Sequence, residues 1–145
     1  MAGLSTLAAR LSPERVRESI LRSANRAGAA VVARTRMRLS GRVLNRRSGA
    51  LLNSVTYNIQ PSAGAVKILV EAGRGLKYGR IHEFGGTIRP RSPSGLLRFK
   101  IGQNWISARR VVMPKRPYLG PSVDEVFAQL GSIVAADMRA TLRGM

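Results

Sequence analysis

The sequence predicts an α+β domain, in which an antiparallel sheet of about four strands carries a long N-terminal helix and a C-terminal helix packed on one face. Three observations predict it. Apolar residues recur at three- and four-residue spacing towards both ends of the chain, strict alternation marks short segments between them, and turn residues separate those segments. The resulting order is helix, two strands, long loop, two strands, helix. A length of 145 residues suits one domain spanning 1–145, and such a chain buries roughly two thirds of its unfolded surface without staples.

The first helix is expected over 12–40. Ser12 is a good N-cap, Pro13 suits the first helical position and Glu14 favours the positive end of the dipole. Val16, Ile20, Ala24, Ala27 and Val31 then form a narrow apolar stripe of mostly small residues, over which a neighbour can approach closely. Gly41 offers a left-handed cap after Ser40. The helix would be about 40 Å long at about 1.5 Å per residue. Ahead of it, Leu4, Leu7, Ala8 and Leu11 also stand at helical spacing.

A hairpin follows over 51–71. Val55, Tyr57 and Ile59 alternate with polar residues, Pro61 to Gly64 read as a turn, and Val66, Ile68 and Val70 share a face of the return strand. Residues 72–95 hold six glycines and two prolines, which reads as a long Gly/Arg loop, functional or mobile. A second hairpin over 96–113 sets Leu97, Phe99 and Ile101 against a return from Trp105 to Met113. Pro114 and Pro117 lack the donors a central strand needs. The last helix, 121–143, opens on Pro121 with Asp124 and Glu125 in its first turn. Its broad apolar face runs through Val123, Val126, Phe127, Leu130, Ile133, Val134 and Met138.

The chain carries 25 Lys+Arg against 7 Asp+Glu, a formal net charge of +18. The balance is +9 over 1–47, 0 over 48–71, +10 over 72–120 and −1 over 121–145. The charge thus sits on segments with structural periodicity, unlike a polybasic tail. It implies acidic or polyanionic partners. A basic nucleic-acid-binding protein is one reading, although the few aromatics are scattered rather than gathered into a stacking platform. Solvated helix faces, or contacts with acidic proteins, are the others.

Chemistry is sparsely supplied. There is no cysteine, which excludes thiolate nucleophiles, disulfides and cysteine-ligated metals, and fits a reducing cytoplasm. The single histidine, His82, has Glu83 beside it but no second His four residues on. Gly73-Arg74-Gly75 completes neither a dinucleotide fingerprint nor a phosphate loop. No apolar run can span a bilayer as a helix, and the N-terminus lacks the pattern of a secretory signal. The chain is therefore read as a non-enzyme with no cofactor, no metal and no membrane association.

Three blocks in order carry a family resemblance. They are Arg47-Ser48-Gly49-Ala50-Leu51-Leu52-Asn53-Ser54-Val55, Tyr78-Gly79-Arg80-Ile81-His82-Glu83-Phe84-Gly85-Gly86-Thr87 and Arg116-Pro117-Tyr118-Leu119-Gly120-Pro121-Ser122. Together they resemble the head–tail joining proteins of long-tailed bacteriophages, also called tail-completion, tail-terminator-like or neck proteins. Gly85-Gly86 is one residue longer than the family's block, Ser48 replaces its usual Thr, and Gly120 is smaller than its usual residue, which would loosen the helix entry.

The resemblance implies a structural virion protein. It would form a ring, usually a hexamer, between head-connector and tail-tube proteins, with genomic DNA passing through the lumen, after assembly in the host cytoplasm. The expected subunit or partner interface is Arg74, Lys77, Tyr78, Arg80, Glu83, Phe84, Arg89 and Arg91. Tyr78 and Phe84 either anchor in a neighbour or fold onto their own core. Glu83 is expected to pair with an arginine, within its own subunit or in a neighbour, with an exposed pair of small value as the alternative. Arg42, Arg46, Arg47, Arg98 and Lys100 are the expected contacts to DNA or acidic partners, with simple solvation as the alternative. A lumen lined by most of the arginines would hold DNA and hinder its passage. Much of the charge is therefore expected to face acidic neighbours.

Overall fold

A computed structural model describes residues 12–42, 49–91 and 95–143, with Arg42 and Lys77 entering through their backbone alone. The expected apolar stripe at Leu4 to Leu11 and the contacts at Arg46 and Arg47 lie outside the described residues.

Helix α1 runs Pro13–Met37. Ser12 caps it, accepting from the Arg15 N–H. A widened turn, Arg38–Arg42, ends it at Gly41 with φ 122, where the sequence places the cap. The stripe of small residues does what such a stripe permits. Ala24, Ala27 and Val31 are buried with Ser19, Ser23, Gly28, Val32 and Thr35, and α1 lies against the first hairpin and both C-terminal helices. A Cβ at Gly28 would fall 2.4 Å from Tyr57 Cδ2, so the Tyr57 ring rests on bare backbone.

A short helix α2, Ala50–Asn53, precedes strands β1 (Thr56–Ser62) and β2 (Ala65–Glu71). Their antiparallel register sets Tyr57 opposite Val70, Ile59 opposite Ile68 and Pro61 opposite Val66, so the predicted alternation holds. Ile68 and Val70 pack on the clusters around α1. Gly64, at φ 78, closes the two-residue turn.

The rest corrects four expectations. Residues 72–95 are not one loop: they contain helix α3, Lys77–Phe84, and strand β3, Gly86–Ile88. The second hairpin is shorter than 96–113. It pairs β4 (Leu97–Ile101) with β5 (Asn104–Ala108), and the chain then leaves as β6 (Val111–Met113) to pair with β3. The described strands therefore form three separate two-stranded ladders rather than one sheet. Finally, the C-terminal helix is two, α4 (Gly120–Ala128) and α5 (Leu130–Arg143), broken at Gln129. Val126 is buried, but Phe127 is 73% exposed, so the apolar face of α4 is split between core and solvent.

The buried core is small. Val32, Leu39, Leu51, Val55 and Tyr118 form one cluster, and Ala27, Val31 and Val126 form a second. Val70 and Leu119 pack on both. The class is α+β with a long first helix, antiparallel strands and a helical C-terminus.

Candidate assembly site

The three sequence blocks meet at one junction, and Glu83 is its centre. Helix α4 begins at Gly120 with no side-chain cap of its own, since its N-cap residue is Leu119. Its orphan N–H groups need an acceptor. Glu83, buried and brought from α3, supplies it: Oε2 accepts from Tyr118 N–H (2.8 Å) and Leu119 N–H (3.0 Å), and Oε1 accepts from Gly120 N–H (2.8 Å). A carboxylate at the positive end of a helix dipole, with three backbone donors, is a strongly favourable arrangement. This corrects the expected ion pair, because among the described residues Glu83 makes no salt bridge to an arginine. Gly120 tightens the entry rather than loosening it, since a Cβ there would stand 3.1 Å from Glu83 Oε1.

Other residues of the blocks close around this cap. The Tyr118 hydroxyl donates to the Gly79 carbonyl at 3.1 Å. Gly79 and Gly73 approach so closely that a Cβ on either would stand 3.3 Å from the other's Cα, beside Leu51. Ser54 Oγ accepts from Gly73 N–H at 2.7 Å and donates to the Leu51 carbonyl at 2.7 Å. The Arg116 N–H donates to the His82 carbonyl at 2.8 Å. The doubled glycine is explained as well. Gly85 has φ 70, and its Cβ position lies 3.0 Å from the Lys115 nitrogen, so the chain can pass into β3 beside β6. Burial pushes the Tyr118 hydroxyl pKa up, with the Glu83 charge a lesser cause. Burial, and secondly the Arg116 guanidinium, hold the His82 imidazole below its ordinary range. The His82 ring meets Tyr78 edge-on at 6.3 Å.

The same helix that buries Gly79 and Glu83 turns other side chains outward. Phe84 is 69% exposed and Tyr78 40% exposed, so neither folds into its own core. Arg80, Arg89 and Arg91 are exposed with them, and exposed Arg74 pairs with Glu71 at 3.5 Å. Lys77 opens α3. Arg98 and Lys100 project from β4, where Lys100 Nζ lies 5.6 Å from the Trp105 ring centroid. Arg42 closes the widened turn after α1. Of the expected interface residues whose side chains are described, only Glu83 is turned inward.

The first basic block holds an arrangement that reading residue by residue missed. Arg22, Arg26 and Arg34 step along α1 and Arg38 follows in the widened turn, and their partners step back at the same interval through α5, Gln129 at the break, and α4. Arg22 donates to Thr141 Oγ1 at 2.6 Å, Arg26 pairs with Asp137, Arg34 donates to Gln129 Oε1 at 2.8 Å, and Arg38 pairs with Glu125. Ala30 and Ile133, at the intervening step, both pack on the second core cluster. The four-residue spacing of the arginines was the available signal. The Ser23 hydroxyl, working against burial and followed by Arg26, holds the Asp137 carboxyl below its ordinary value. Part of the +18 is thus internal fastening.

No group of His, Asp or Glu able to hold a metal occurs among the described residues, and no described helix is long and apolar enough to cross a membrane. The chain is a member of the phage virion morphogenesis family, whose model matches residues 14–136. That span opens in the first turn of α1 and closes within α5, and so takes in the whole junction. No curated protein and no solved structure matches the chain.

Proposed function

We propose that this protein is a non-enzymatic, ring-forming subunit at the head–tail interface of a long-tailed phage, acting in tail completion as a terminator or neck layer. Family membership supports a virion role, and the Glu83 junction carries the finer reading. It fixes α3 rigidly against α4 while leaving Phe84 and Tyr78 uncovered. Exposed large apolar groups on α3, with exposed Arg80, Arg89 and Arg91 near them in the chain, suit a surface completed by another subunit. Contact between two different patches on identical subunits is heterologous and closes into a ring when the rotation allows.

In this reading the ring is a hexamer between head-connector and tail-tube proteins in the virion, and DNA threads its lumen. Arginines left outside the α1 fastening mostly face acidic surfaces of adjoining layers. Electron microscopy of the purified protein, alone and with tails lacking it, tests the proposal. Rings of uniform diameter that cap tails and restore head joining are expected. A protein that stays monomeric on tails and instead binds duplex DNA, with a steep loss of affinity as salt rises, would support the nucleic-acid reading instead.

A further inference from the structure

The hairpin β4–β5 packs chiefly on itself. One face carries Leu97, Phe99 and Ile106, which are only half-buried, and Ile101, which is 60% exposed. The other carries Arg98, Lys100 and Trp105, with Trp105 67% exposed. An isolated two-stranded hairpin is marginal in water, so these faces call for a cover. That cover should be acidic, because no Asp or Glu occurs between Glu83 and Asp124.

The chain itself presents a surface of that description. On α4, Val123, Asp124, Phe127 and Ala128 form one exposed face, with Phe127 the most exposed large apolar residue described. Asp124 makes no ion pair among the described residues, whereas Glu71, Glu125 and Asp137 each have an arginine. Glu83 is occupied by backbone donors. Glu14 and Glu18 stand among Arg15, Arg17 and Arg22, which leaves Asp124 as the acid beside an uncovered apolar face without basic neighbours on its helix.

We infer that the β4–β5 hairpin of one copy docks on the α4 face of a second copy, setting Trp105 against Phe127 and Lys100 near Asp124. This rests on the ring reading above and names the contact that would build the ring. Hairpin and helix are different patches, so the contact is heterologous, as a ring requires. Charge complementarity would set its register and an aromatic anchor its strength.

The chain has no cysteine and a single tryptophan, which makes the test direct. Copies bearing Ser107→Cys are mixed with copies bearing Ala128→Cys under conditions where the wild type forms rings. With diamide added as the oxidant, a disulfide-linked pair should form in the mixture and not in either variant alone. Trp105 emission should shift to the blue on assembly, and Phe127→Ala should abolish that shift together with the rings. Lys100→Glu and Asp124→Lys should each weaken assembly at least tenfold, and the two together in one chain should restore it, which separates lost contact from lost folding. Rings that form with no mixed disulfide, unshifted Trp105 emission and no charge rescue would overturn this contact while leaving the ring reading intact. A Trp105 shift produced only by added DNA, with assembly unaffected, would overturn it in favour of a nucleic-acid contact. Failure of the wild type to form rings alone or on tails would overturn both readings.

Discussion

Glu83 and Gly28 show how single positions decide this fold. Glu83 holds three backbone donors ahead of α4, so Glu83→Gln replaces an acceptor oxygen with an amide that opposes a donor. Hydrogen bonds to a charged group are worth about 1.5–3 kcal/mol, and a stability loss of about 2 kcal/mol is expected in urea unfolding. Gly28→Ala places a methyl group inside the Tyr57 ring and should cost about 1–3 kcal/mol as overpacking. Pairing it with Tyr57→Ala should remove the clash, giving a strongly non-additive double-mutant cycle. Two titrating groups predict loss of stability in acid. His82 has its pKa lowered in the fold, so its contribution is complete above its unfolded value of 6.5 and falls as pH drops below it. Asp137 is also lowered, so its contribution is present above 3.8 and is lost as pH falls through its folded value. Thermal unfolding from pH 8 to 3 should show both declines, and His82→Gln should remove the first.

At the scale of elements, α1 acts as a spine to which both C-terminal helices are fastened by an antiparallel series of arginine contacts. The exposed pairs in that series are individually weak, about 0–1 kcal/mol each and sensitive to salt. Asp137 differs, because its side chain is only 11% exposed and also accepts from the Ser23 hydroxyl at 2.9 Å. Asp137→Asn should therefore loosen α5, read as faster amide exchange over Leu130–Arg143, more than Glu125→Gln loosens α4. Much of this architecture is legible in the sequence. The caps at Ser12 and Gly41, the alternation in β1 and β2 and the stop after Met113 all follow from local chemistry. What was not legible depends on distant partners. Helix α3 hides among glycines because two of them, Gly73 and Gly79, exist for mutual close approach rather than for flexibility. Residues 105–113 read as one returning strand because nothing local reveals that Val111–Met113 pairs with β3 instead of β4.

For the whole molecule, the net charge of +18 divides by use. The α1 arginines largely fasten helices, while the exposed basic side chains of α3, β4 and the segments beside them remain available for neighbours. The candidate site was half legible in the same way. The three blocks are segments that meet around Glu83, and Tyr78 and Phe84 stand outward. Glu83 was misassigned because its charge suggested an arginine, whereas its partners are backbone amides no sequence pattern displays. In the proposed function these outward groups complete a ring at the top of the tail. The most direct test is an electron-microscopic reconstruction of the virion neck with this chain traced. A closed ring around the DNA path is expected, with Phe84 and Tyr78 buried against adjoining protein and most of the remaining exposed arginines facing acidic neighbours. A chain located elsewhere in the virion, or a lumen lined by most of those arginines, would contradict it.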